Sequence, residues 1–139
     1  MALNKIYQST EKDHRERPVP ANTQPGTPLL SGGRPAITLT ARGDATRTVT
    51  TSLPAGLTSI TYTNGGASNL DDSATLAFDG TWELAVTGAT VNTANDVEVF
   101  ITSGGTVTLT GTGNTHYGWT DYPRDYRKEA GRAAVRIGR

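Results

Sequence analysis

Along residues 31–139, apolar and polar positions alternate in short runs, each closed by Gly, Asn or Asp. An alternation of period two puts successive side chains on opposite faces of the chain, so these runs predict half-buried β-strands. The first is Pro35-Ala36-Ile37-Thr38-Leu39-Thr40; Thr46 to Thr51 and Ser59 to Thr63 continue it. Asn64-Gly65-Gly66 then reads as a hairpin turn, because Asn and Gly tolerate positive φ. Ala74 to Phe78 leads to a second hairpin-type turn at Asp79-Gly80. After it comes Trp82-Glu83-Leu84-Ala85-Val86, with Trp82, Leu84 and Val86 on one face. Asp96 to Ile101 and Thr106 to Thr110 flank a third turn, Ser103-Gly104-Gly105, and His116 to Trp119 and Ala133 to Ile137 complete the series. About eight or nine short strands at this spacing predict an all-β domain, a small barrel or sandwich. Asp121 to Arg132 is the one stretch of the body where a helical turn is expected, and no repeat of useful period is visible.

Residues 1–30 break the pattern. Ser9 to Arg17 is densely charged, and Pro18, Pro20, Pro25 and Pro28 follow in quick succession. Proline fixes φ and biases its predecessor toward extended backbone, so this segment predicts an extended N-terminal arm. The chain thus divides into an arm, 1–30, and a β-domain, 31–139. An untethered tail and an arm that orders on a partner both fit. In the second case Leu3, Ile6 and Tyr7 are the anchors, with Arg15 and Arg17 beside them.

Composition supports strands. Thr is the commonest of the 139 residues, with 24 copies, and Gly adds 16. Thr suits a pleated surface, and Gly ends or bends strands. Hydrophobic residues make up only 35% and aromatics 6%, which implies a thin core that Trp82 and Trp119 are expected to fill. With no cysteine, disulfides and thiolate metal sites are excluded. No apolar run reaches the length of a membrane span or signal-peptide core, so the chain is expected to be made in a cytoplasm and to bind no membrane.

The net charge of zero conceals a segregation. Residues 1–47 carry +3, residues 48–123 carry −7 with no Lys or Arg, and residues 124–139 carry +4. An acidic body offers no broad basic face for nucleic acid, whereas the basic ends can grip an acidic protein surface.

Candidate chemistry is sparse. The two histidines, His14 and His116, fall in the charged arm and in a strand; a partly buried, bonded strand residue is the expected state of His116, rather than a general base. Asp71-Asp72 with Asp79 could hold Ca²⁺, but their spacing is not that of an EF-hand, and turn capping is the simpler reading. Gly111-Thr112-Gly113-Asn114 lacks the Lys-Ser/Thr of a phosphate loop, and Arg42-Gly43-Asp44 reads as a hairpin tip. No metal, cofactor or catalytic residue is therefore assigned. Tyr122, Arg124, Tyr126 and Arg127 share one loop, and Tyr and Arg are the residues that dominate protein interfaces, so this loop is the expected binding patch of the body.

The motifs Gly26-Thr27-Pro28-Leu29-Leu30-Ser31-Gly32-Gly33, Asp79 to Ala89, Asp96 to Phe100, Gly113 to Trp119 and Val135-Arg136-Ile137-Gly138 stand in a fixed order. This series resembles that of tailed-bacteriophage capsid decoration (head cement) proteins, over Gly26 to Gly138. The arm is longer than that family's, and residues 42–70 look like a variable insertion. The resemblance implies a β-tulip-like domain, no catalytic residues, and a non-enzymatic structural role on the capsid exterior of a virion. The implied partners are the major capsid protein and the chain's own copies, as a homotrimer at three-fold or quasi-three-fold positions. Two alternatives stay open: another virion β-domain, such as a tail or head–tail component, and a carbohydrate-binding module using the aromatics.

Overall fold

The computed structural model describes residues 5–7, 14–49, 55–56, 60–65 and 72–138, and among them all regular structure is β. In chain order the first six strands are β1 (Lys5–Tyr7), β2 (His14–Pro18), β3 (Pro28–Ser31), β4 (Arg34–Thr38), β5 (Asp44–Val49) and β6 (Ile60–Gly65). Six more follow: β7 (Ser73–Ala77), β8 (Gly80–Ala85), β9 (Glu98–Ile101), β10 (Val107–Thr108), β11 (Thr115–Thr120) and β12 (Arg132–Ile137). They form a six-stranded sheet ordered β1-β8-β12-β11-β9-β10, a four-stranded sheet ordered β2-β7-β4-β3, and the hairpin β5-β6. The six-stranded sheet curls until β10 meets the chain just beyond β8. There Thr87 donates to Val107 O and accepts from the Leu109 N–H. The expectation of a small all-β barrel or sandwich is met.

Among the described residues of the first thirty, β1, β2 and the start of β3 are extended and laid into the sheets, with turns at 21–22 and 25–26 between them. β1 pairs with β8, β2 pairs with β7 from His14↔Ala77 to Pro18↔Ser73, and Val19 is buried. Other expectations need correction. Asp79-Gly80 is a corner, not a hairpin, because β7 and β8 it joins belong to different sheets. Asn64 and Gly65 are the last two residues of β6, with Gly65 opposite Asp44, and Gly66 lies outside the described residues. Arg42-Gly43-Asp44 is not a hairpin tip either: Gly43 donates to Ser73 O and accepts from the Asp72 N–H. No helix forms over 121–132, where Tyr126 N–H closes one turn on Pro123 O and Asp125 adopts φ 67. Ser103-Gly104-Gly105 does connect an antiparallel pair, β9 and β10.

Trp82 and Leu84 of β8, with Val86 just beyond its end, anchor the main core with Val99, Ile101, Val107, Tyr117, Ala133 and Val135. Ile37 and Ala77 of the four-stranded sheet enter the same cluster, and the Tyr117 hydroxyl donates to Ala36 O at 2.7 Å, tying the sheets together. A smaller cluster, Val19, Ala36, Ala74, Leu76 and Phe78, occupies the other face of the four-stranded sheet.

The two sheets repeat one path, although the sequence carries no repeat of useful period. The order β2-β7-β4-β3 matches β8-β12-β11-β9, each half running first, fourth, third, second. Val19 N–H donates to Asp72 O and Val86 N–H to Gly131 O, at 2.9 and 2.8 Å. The agreement extends to a threonine clamp. The Thr38 hydroxyl accepts from Thr27 N–H (2.9 Å) and donates to Gln24 O (2.6 Å). The Thr120 hydroxyl accepts from Val97 N–H (2.9 Å) and donates to Ala94 O (2.7 Å). Gly26 and Asp96 take positive φ at equivalent positions and donate to the carbonyls of Thr38 and Thr120.

Replacing either clamp hydroxyl by a methyl leaves the Thr27 or Val97 N–H without its partner in a part-buried setting; Ala94 O loses its partner too, whereas Gln24 O keeps the Thr27 hydroxyl at 2.7 Å. Thr38→Val and Thr120→Val are each expected to cost about 1–3 kcal/mol. Urea unfolding of the two variants checks this, and a loss in one alone would contradict the equivalence of the halves.

Candidate partner-binding surface

The loop between β11 and β12 lies beside β8, and long-range contacts shape it. Tyr122 N–H donates to Asn95 Oδ1 at 2.7 Å, and the Tyr122 and Tyr126 rings stand 5.3 Å apart, tilted by 41°. Lys128 Nζ sits 4.4 Å from the Tyr122 ring centre while donating to Thr93 O at 2.7 Å, so its charge is held over an aromatic face. The Glu83 carboxylate, paired with Arg132 at 3.3 Å, lies near enough to the Tyr126 phenol to act on its charge. Arg124 and Arg127 are exposed and engage none of the described residues. Tyr122 and Tyr126 thus meet on a loop that also carries the exposed Arg124 and Arg127, with Lys128 and Glu83 beside the tyrosines. Lys128 was within reach of a sequence reading, since it shares the loop. Glu83 was not, because only the sheet places it there.

Burial raises the Tyr126 phenol to about 12, helped by repulsion from the Glu83 carboxylate; burial also raises Tyr122 and Tyr117. A phenol held protonated in the fold but free to ionise in the unfolded chain favours unfolding as pH rises from about 10 to about 12. Phenolate absorbance during alkaline titration is expected to show Tyr126 still protonated at pH ~11, with Glu83→Gln lowering its titration point.

Of the other predicted anchors, Leu3 lies outside the described residues. Ile6 and Tyr7 belong to β1, which pairs with β8 through Lys5↔Trp82 and Tyr7↔Thr81. Strand β8 thus carries β1 at its edge and Tyr126 at Glu83, so it joins two of the predicted regions. Arg15 and Arg17 are exposed on β2, the outermost strand of the other sheet, and are not part of this grouping.

A second aromatic surface was missed. Trp119 does not fill the core; Tyr117 does, at 1% exposure. A register shift between His116 and Gly118 turns Tyr117 inward and leaves His116 and Trp119 on the outer face. His116 is exposed rather than partly buried, edge-on to Phe100 at 5.8 Å and to Trp119 at 5.2 Å. Beside this row, Arg34, Phe78 and Arg136 line a notch of about 270 Å³. Arg34 stacks 4.5 Å above Phe78, and Arg136 faces Asp96 and Asp121 at 3.8 and 3.7 Å.

The acidic positions considered for a cation are structural where they are described. Asp72 ion-pairs with Arg42 and holds φ 66 at the turn into β7, and Asp79 O receives the Trp82 indole N–H at the corner. Among the described residues, no three His, Asp or Glu side chains converge. Compared with known proteins, the chain matches no family model, no curated protein and no solved structure.

Proposed function

We propose that this protein is a structural component of a virion. It binds the outer surface of a phage capsid and stabilises the shell by bridging major capsid protein subunits. The observation that carries the reading is the β11–β12 loop: two tilted tyrosines, the exposed Arg124 and Arg127, and Lys128 over an aromatic ring, set on an acidic body. Tyr and Arg on a rigid support are the usual anchors of protein recognition. The ordered motif series supports the same reading. A homotrimer at three-fold or quasi-three-fold positions would multiply modest contacts into tight holding.

Purified protein mixed with expanded, undecorated shells is expected to bind saturably and raise their heat resistance. Arg124→Glu with Arg127→Glu is expected to weaken binding at least about tenfold without altering the fold, since both side chains are exposed. Absence of binding by the unmodified protein would reject the proposal.

The row Phe100, His116 and Trp119 favours a second reading, a carbohydrate-binding module, because aromatic faces stack on sugar rings. A glycan array without hits would remove it.

A further inference from the structure

In the second half of the chain, the outer edge of β9 is occupied by β10, with Val107↔Ile101 and Thr108↔Phe100. The equivalent edge in the first half belongs to β3, which among the described residues pairs with β4 alone. Thr38 N–H donates to Thr27 O, so Thr27 faces β4; by alternation Leu29 does too, opposite Ala36. Leu30 is opposite Pro35, which has no N–H to offer, as suits a non-hydrogen-bonded pair. The N–H and C=O of Leu30 and the C=O of Pro28 therefore point away from the sheet, and Pro28 itself removes one outward donor.

Beside this edge runs a groove of about 820 Å³. Pro25 and Pro28 form one wall, Leu84, Val86 and Val107 the apolar lining, and the Glu83–Arg132 ion pair lines it too. The groove reaches the main core, so an apolar side chain entering it would join an existing cluster.

We infer that the β3 edge and this groove form a strand-addition site for a short extended segment of a partner protein. The chain's own β10 shows the chemistry of the occupant. It is an uncharged segment, Gly105-Thr106-Val107-Thr108, with a β-branched apolar residue between threonines and a glycine before them. Backbone bonds to Leu30 and Pro28 give the hold, and the apolar residue gives the selectivity. The few outward groups limit the added strand to a few residues, which keeps the edge from capturing long strands indiscriminately. This inference rests on the internal repeat and is independent of the capsid reading.

The probe is a capped heptapeptide with the chain's own sequence 104–110, Gly-Thr-Val-Thr-Leu-Thr preceded by one further glycine, titrated into the isotope-labelled full-length protein. Saturable amide shifts are expected at Leu30 and along the groove, with hydrogen exchange of Leu30 slowed at least about tenfold. A peptide with Asp in place of the valine is expected to bind at least about tenfold more weakly. Thr106→Arg, at an exposed position lining the groove, is expected to abolish the shifts while the circular dichroism spectrum stays unchanged. The inference is overturned if the peptide causes no shifts at millimolar concentration, or shifts only the Phe100, His116 and Trp119 row. It is also overturned if Leu30 protection in the peptide-free protein rises with protein concentration, because a second copy would then be the occupant.

Discussion

Trp82→Ala is expected to lower the unfolding free energy by about 3–5 kcal/mol, a large share of what a domain of this size holds. Trp82 is fully buried, and its ring fills the space where β8, β12 and the four-stranded sheet converge. Hydrophobic residues are only 35% of the chain, so little neighbouring apolar bulk is available to collapse into the cavity. The indole N–H also donates to Asp79 O at 2.8 Å, and that bond holds the corner where the chain passes between sheets. Trp82→Phe keeps part of the volume and loses the bond, so an intermediate loss is expected. Denaturant unfolding followed by circular dichroism measures both. A Trp82→Ala loss below about 1 kcal/mol would mean that the core is not organised around this ring.

Gly118→Ala is expected to cost about 3 kcal/mol or more, enough to leave a substantial unfolded population. A Cβ at this position would lie 2.3 Å from Arg136 O and 3.2 Å from Val135 Cγ1. The first obstacle is backbone of the neighbouring strand, and it can yield only by separating β11 from β12. In the first half, the matching position is Ala36, which carries its Cβ fully buried. In the second half, the register of β11 on β9 shifts between His116 and Gly118. Gly113→Ala is the control: its φ is 74 but nothing lies within 4 Å, so only the strain of a positive φ is expected, about 1 kcal/mol. Equal losses in the two variants would show that β11 and β12 do not approach as closely as described.

How much of the candidate surface was legible depended on distance along the chain. Tyr122, Arg124, Tyr126 and Arg127 lie within six positions of one another and flank a proline, so a shared loop followed from sequence. Glu83, some forty positions earlier, joins them only because β12 pairs with β8 from Arg132↔Ala85 to Ile137↔Gly80. The row Phe100, His116 and Trp119 was hidden for another reason. Strict alternation from Tyr117 puts Trp119 on the inner face, and one inserted residue reverses that assignment.

The internal repeat was illegible because its spacing drifts. Equivalent residues are 67 positions apart at Val19 and Val86, 70 at Gly26 and Asp96, and 59 at Asp72 and Gly131. The excursion carrying β5 and β6 lengthens the first half between its third and fourth strands, where the second half has the tyrosine loop. A fixed-period search fails under those conditions, and few side chains coincide beyond the Asn-Thr pairs at 22–23 and 92–93.

By itself, the sequence determined the class of structure: threonine and glycine content, short alternating runs and the face Trp82, Leu84 and Val86 all demand strands, because period-two alternation can bury one face only in a sheet. Only the tertiary structure decided which strands pair, which turns are corners, that the chain folds as two equivalent halves, and that β3 has no partner on its outer edge among the described residues. Strand partners are chosen through backbone bonds common to every residue, so side-chain pattern constrains them weakly, and a single bulge or corner redirects them.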